Sequence, residues 1–124
     1  MKKVLIVDDE DYVDTLAEVF RRRSIEAVTA RSGSEGVKLY REHSPDCVFL
    51  DVNLPDLNGL DVFKRIKAIG KVPVVYFITG EVGSIALSQA LELGAKDFLL
   101  KPVDMSRLHE IIEARSESLF PELG

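Results

Sequence analysis

Five short apolar runs alternate along this chain with five stretches of helical period, a pattern that few folds can accommodate. Lys3 to Val7 is the first run, and it ends abruptly in the acids Asp8, Asp9 and Glu10. From Asp11 to Arg23 the apolar residues Val13, Leu16, Ala17 and Phe20 recur at i, i+3, i+4 and i+7, which puts them on one face of a helix. Ile25 to Ala30 follows as a strand, and Ser32, Gly33 and Ser34 open a second helix with Val37, Leu39 and Tyr40 as its apolar positions. Pro45 cannot continue that helix and pushes Ser44 toward extended backbone, so the chain enters a strand over Asp46 to Leu50. Pro55, Asn58 and Gly59 mark the next loop. Leu60, Val62, Phe63, Ile66 and Ile69 predict a third helix stopping near Gly70. Val72 to Ile78 reads as a fourth strand, ended by Thr79, Gly80 and Glu81. Ser84 or Gly83 caps a fourth helix carrying Ala86, Ala90 and Leu93, with Gly94 at its end. Lys96 to Leu100 is the fifth strand, closed by Lys101 and Pro102. Asp104 then caps a last helix carrying Leu108, Ile111 and Ile112.

Strands that alternate with helices predict an α/β fold, a doubly wound five-stranded parallel sheet with helices on both faces. In such a sheet every strand ends along the same edge, where ligands bind. The residues at those ends are Asp8 and Asp9, Asp51, Thr79 and Lys101, whereas the second strand ends in Ala30 and Arg31 and suits an outer position. Taken alone, Asp51 is equally well explained as a polar residue where a strand gives way to a turn. Together these residues pose an electrostatic problem. Three carboxylates brought close must be protonated, paired with a cation or bridged by a metal. Lys101 supplies an ammonium, and a hard ion of the Mg²⁺ type prefers oxygen ligands. His43 and His109 fall on helices away from this edge and read as surface residues, so a zinc-like site has no histidine. A carboxylate beside a metal and an ammonium, with the Thr79 hydroxyl nearby, is equipped to attack phosphorus and form an aspartyl phosphate. Asp51, central on the edge, is the candidate nucleophile. Asp8 and Asp9 suit metal binding, and Gly80 leaves room for phosphoryl oxygens.

Composition narrows the class. At 124 residues and 46% hydrophobic, the chain has the length and apolar content of one domain. A formal charge of −5, from sixteen basic and twenty-one acidic residues, argues against direct nucleic-acid binding. The triplet Arg21, Arg22 and Arg23 falls where the first helix ends and suits its negative terminus. No apolar run approaches a membrane span. The basic, apolar start leads into acids instead of a cleavage site, so no membrane partner and no leader are expected. The lone Cys47, inside an apolar strand, reads as a buried hydrophobe in a reducing, cytoplasmic setting.

The sequence resembles the receiver domains of two-component response regulators. The matching residues are the acidic pair Asp8 and Asp9, Asp51 followed by the Leu-Pro-Asp-Leu-Asn-Gly run from Leu54 to Gly59, the Thr-Gly pair at Thr79 and Gly80, and Lys101 with Pro102. The resemblance covers Lys2 to Ala114. It implies the flavodoxin-like strand order 2-1-3-4-5 of the chemotaxis receiver, with a receiver domain over 1–115 and a tail or linker start over 116–124. It implies that Asp51 accepts a phosphoryl group from a histidine kinase or phosphotransfer protein. Mg²⁺ would be held by Asp9, Asp51 and the Asn53 backbone carbonyl, and Asp8 would act through the metal's water shell. The Lys101–Pro102 peptide would be cis. Thr79 and Phe98 would be the switch residues, with phenylalanine where many members carry tyrosine. The readout would be the surface of the fourth helix, fifth strand and fifth helix, where Ile85 and Leu87 flank the buried stripe. That surface would serve a homodimer or a C-terminal effector domain such as a transcription activator. Such a protein is no enzyme beyond its own phosphorylation and dephosphorylation. Two other readings stay open. A haloacid-dehalogenase-like phosphatase would need a second acid where Asn53 stands. A receiver-like binding module would keep the fold and take no phosphate.

Overall fold

Cys47 to Leu50 carry no charge because their strand is covered on both sides, and the rest of the sheet is arranged about it. The computed structural model describes residues 1–11, 13–70, 73–80 and 85–117. Strands β1 (Lys3–Val7), β2 (Glu26–Ala30), β3 (Cys47–Asp51), β4 (Val74–Thr79) and β5 (Asp97–Leu100) alternate with helices α1 (Val13–Arg21), α2 (Gly33–His43), α3 (Gly59–Ile69), α4 (Ile85–Glu92) and α5 (Met105–Glu117). The sheet is parallel throughout, as the alternation predicts, in the order β2-β1-β3-β4-β5 that the resemblance implies.

Because side chains alternate across a strand, each strand feeds two cores. Val4, Ile6, Phe49, Tyr76 and Ile78 pack under α1 and α5, against Leu16, Phe20, Leu108, Ile111 and Ile112. Leu5, Val7, Val48, Leu50, Val75 and Phe77 pack on the other face against Val37 and Tyr40 of α2, Val62, Phe63 and Ile66 of α3, and Ala90 of α4. Each such side chain contributes about 1.5–3 kcal/mol by leaving water, so both faces hold the sheet and keep its carboxyl edge in place.

Local signals account for most helix ends. Ser32 caps α2 by accepting from the Glu35 N–H, and Asn58 caps α3 by accepting from the Asp61 N–H. Gly70 and Gly94 adopt positive φ, +135° and +111°, where their helices stop. The Asp104 carboxylate accepts from the Ser106 N–H at 2.9 Å, at the start of α5.

Three details differ from expectation. Ser44 is left-handed (φ 45°, ψ 56°) and not extended, because that conformation lets its N–H close α2 on the Tyr40 carbonyl at 2.9 Å. Ile69 is 39% exposed and lies outside the core, at the last turn of α3. α5 continues to Glu117, two residues into the expected tail. The expected start of the fourth strand at Val72 and the caps Gly83 and Ser84 lie outside the described residues, as do the side chains of Ile85 and Leu87.

Candidate functional site at the carboxyl edge

The site is built from the ends of β1, β3, β4 and β5. In the sheet register Asp51 stands beside Ile78, and Thr79 stands beside Leu100, so Thr79 and Lys101 flank the aspartate on its β4 side. The Lys101 N–H donates to the Thr79 carbonyl at 2.8 Å, which fixes the start of the β5–α5 loop against β4. The Lys101–Pro102 peptide is cis, as the resemblance implies.

Lys101 is the centre of the charge arrangement. Its Nζ lies 3.0 Å from Asp51 Oδ2, 3.0 Å from Glu10 Oε1 and 3.2 Å from Asp8 Oδ2. Asp8 is fully buried, and Asp51 and Thr79 are nearly so, while Asp9 and Glu10 are exposed. The repulsion expected among the acids is thus met by the cation. Burial pushes the Asp51 carboxyl up to about 6, and the charge of Asp8 adds to the push. The Asn53 N–H, 3.1 Å from Asp51 Oδ1, and Lys101 pull the other way without prevailing. For Lys101, desolvation disfavours the ammonium, but hydrogen bonds to Glu10 and Asp51 and the charges of Asp51 and Asp8 outweigh it. They hold its pKa well above the ordinary lysine range.

The donor set suits a hard cation. Asp8, Asp9 and Glu10 each offer a carboxylate oxygen, all within 4.8 Å of one another. Asp8 Oδ2 is buried without a hydrogen bond, its neighbour being the Lys101 ammonium. A buried carboxylate oxygen that an ammonium neutralises, set among other hard oxygens, fits Mg²⁺ and does not fit a soft metal. His43 and His109 sit on α2 and α5, away from these groups.

The β3–α3 loop folds tightly over the aspartate. Asn53 and Asn58 form an antiparallel bridge, and the Gly59 N–H donates to the Val52 carbonyl at 2.7 Å. A Cβ on Gly59 would lie 2.3 Å from the Asp51 carbonyl oxygen, so only glycine fits there. At Gly80, by contrast, a Cβ would meet nothing within 4 Å among the described residues. Phe98 is half-buried and packs against the α2–α3–α4 core. Beside Lys101 opens a groove of about 560 Å³ lined by Glu10, Thr15, Lys101, Pro102, Val103 and Met105.

Two residues that sequence reasoning passed over take part. Glu10 reads as one more acid in a cluster, and its bond to Lys101 spans 91 positions that local pattern cannot bridge. Asp56 has no role of its own within the Leu54 to Gly59 run, yet its carboxylate accepts from the N–H groups of Gly33 and Ser34 at the start of α2.

Comparison with known proteins points one way. Residues 4–113 match the response regulator receiver domain family. The transcriptional regulatory protein AfsQ1 of Streptomyces coelicolor is 36% identical over 104 residues, covering 83% of this chain and 46% of that protein. The chemotaxis protein CheY of Bacillus subtilis is 31% identical over 112 residues, covering 89% and 93%. A CheX–CheY–BeF3–Mg²⁺ complex from Borrelia burgdorferi superposes with a TM-score of 0.82 at 30% identity, over 96% of this chain and 89% of that one. The chain spans about half the length of the transcription regulators it matches.

Proposed function

This chain belongs to the response regulator receiver domain family of two-component signalling, and we propose that it is a phosphorylation-dependent switch whose acceptor is Asp51. The observation that carries this reading is the single ammonium of Lys101 held between Asp51, Asp8 and Glu10 at the sheet edge. An Asp51 carboxylate oxygen attacks the phosphorus of a phosphohistidine on a sensor kinase or phosphotransfer protein. The new O–P bond forms as the N–P bond breaks, and the electron pair returns to the imidazole. Lys101 then turns its charge to the phosphoryl oxygens, and the Thr79 hydroxyl donates to one of them. Asp9, Asp51 and the Asn53 carbonyl would hold Mg²⁺, with Asp8 acting through its water shell. The ion supplies charge neutralisation for the transferring group. The cluster of Asp8, Asp9 and Glu10 carboxylate oxygens and the Mg²⁺ in the Borrelia burgdorferi relative support this assignment.

The phosphoryl group adds roughly −1.5 to −2 of charge and three acceptor oxygens, which favours the conformation with Thr79 and Lys101 drawn inward. Phe98 fills the space that Thr79 leaves. A resting balance of about 99:1 against the active form needs roughly 5.5 kcal/mol to reverse, an amount a few charge-assisted hydrogen bonds can supply. The output surface is α4–β5–α5, for a second copy of the chain or an effector domain carried C-terminally, and the setting is the cytoplasm. Catalysis is confined to the chain's own phosphorylation and dephosphorylation. Among the described residues no helix is long and apolar enough to cross a membrane. Asn53 cannot shuttle the proton that a turnover phosphatase requires, which disfavours that alternative.

Acetyl phosphate with Mg²⁺ tests the reading. Intact mass should rise by one phosphoryl group, the adduct should be acid-stable and base-labile, and Asp51→Asn should take none. A wild-type protein that stays unmodified would overturn it in favour of a binding module.

A further inference from the structure

The β3–α3 loop has a second anchor at its far end. Asp56 is exposed, yet its Oδ1 accepts from the Gly33 N–H at 2.7 Å, and its Oδ2 accepts from the Ser34 N–H at 2.9 Å and the Ser34 hydroxyl at 2.6 Å. These are amides of the first turn of α2, which have no partner within the helix, and the carboxylate also meets the positive end of the helix dipole. Packing reinforces the clamp. A Cβ on Gly33 would lie 2.9 Å from both Leu57 Cβ and Val62 Cγ2, so the glycine lets the loop lie flat on α2. The Asn53–Asn58 bridge closes the loop across Asp56. At the near end the Asn53 N–H touches Asp51 Oδ1.

We propose that Asp56 is a positioning residue: by clamping the loop to α2, it holds the Asn53 main chain against Asp51 and so sets how tightly the site takes Mg²⁺. This rests on the metal assignment made above. Asp56 acts only through the backbone, because its carboxylate is committed to α2. Exposure at this position is therefore deceptive, since three donors from another element converge on one side chain. The bridge transmits the anchor because Asn58, two residues beyond Asp56, is paired directly with Asn53. Loss of the clamp leaves the Asn53–Asn58 bridge and the Gly59 N–H to Val52 bond to hold the Asn53 main chain without support from α2. Supporting groups around metal ligands commonly change affinity by about 10–100-fold when removed, and a brace acting through the main chain belongs near the lower figure.

The test is a Mg²⁺ titration of the unphosphorylated chain followed by the amide resonance of Asn53, with amide hydrogen exchange recorded alongside. Asp56→Ala should raise the Mg²⁺ midpoint about 10-fold and speed exchange at Asn53. Asp56→Asn keeps an acceptor oxygen and should fall between. Ser34→Ala removes one of three bonds and should shift the midpoint about 2-fold. A folded Asp56→Ala protein with the wild-type midpoint, or one that only melts earlier, overturns the proposal. If Asp56→Ala does not fold, Asp56→Asn and Ser34→Ala decide, and wild-type midpoints in both overturn it. A wild type that binds Mg²⁺ but never takes a phosphoryl group sinks the acceptor reading and leaves this inference standing. A wild type that shows no Mg²⁺ response sinks this inference directly.

Discussion

Asp51 and Asp56 stand at the two ends of one loop, and their carboxyls are pushed in opposite directions. Asp51 is buried with Asp8 close by, and desolvation leads the causes that lift it to about 6. Asp56 is fully exposed, and the Ser34 hydroxyl followed by the Ser34 and Gly33 N–H groups holds it well below the usual carboxylate range. The number and aim of donors decide the outcome. One amide and a shared ammonium cannot offset burial beside a like charge, whereas three donors at a helix N-terminus keep an exposed acid ionised well below the usual carboxylate range. The first carboxyl has one amide and one shared ammonium, with burial and a like charge against it, and the second has three donors. The loop thus joins a chemical end to a structural end.

The comparison breaks most sharply in phosphoryl acceptance. Asp51→Asn should lower the rate with acetyl phosphate by more than about 100-fold, because an amide oxygen is no nucleophile. Asp56→Asn should keep the acceptor and lose rate only at limiting Mg²⁺. Intact-mass time courses at two Mg²⁺ concentrations separate the two variants.

Stability carries the next effect. Gly59→Ala should cost about 2–4 kcal/mol in urea denaturation, since the added methyl meets the Asp51 backbone at 2.3 Å and main chain must move. Gly80→Ala, with nothing near its methyl, should change stability by less than about 0.5 kcal/mol. Equal losses at the two glycines would mean that the close packing at the buried end of the loop is not what holds it. Lys101→Ala comes next, at about 2 kcal/mol at pH 8, because it leaves buried Asp8 and Asp51 facing each other without a cation. That loss should shrink at pH 5, where Asp51 can take up a proton.

Much of this contrast could be read in the sequence, though unevenly. The five β/α units were legible because each strand is a short apolar run and each helix shows its period. Asp8, Asp51, Thr79 and Lys101 were legible as neighbours because a parallel sheet brings all its strand ends to one edge. What escaped depends on contacts between residues far apart in the chain. Asp56 finds its donors 22 and 23 positions away, and Glu10 finds Lys101 91 positions away. The glycines at 33, 36 and 59 look like ordinary helix-start or turn residues. Their lack of a side chain matters because Leu57, Val7 and the Asp51 carbonyl press on them. Ser44 escaped for a local reason, since two rules compete at one residue. The preference before proline favours extended backbone, and the need to close α2 prevailed.

The smallest effect is also the one that tests the opposed shifts directly, through the pH dependence of stability in metal-free buffer. Asp51 has a folded pKa of about 6, above its unfolded value of roughly 3.9, so the folded state binds the extra proton between them. The contribution of Asp51 to stability should therefore fall as pH rises from about 4 to about 6, by about 1 kcal/mol given that water reaches the open edge. Asp56 works in the other sense. Its folded pKa is depressed, so its contribution is complete above the unfolded value and is lost as pH falls through the folded one. Subtracting the Asp51→Asn profile from wild type should isolate the decline between pH 4 and 6, and subtracting the Asp56→Asn profile should isolate a loss confined to lower pH. Mg²⁺ bound as proposed would favour the carboxylate of Asp51, so adding it should flatten the first difference and leave the second unchanged. If both differences sloped the same way, the two ends of the loop would share one electrostatic environment, and the division between a chemical and a structural aspartate would fail.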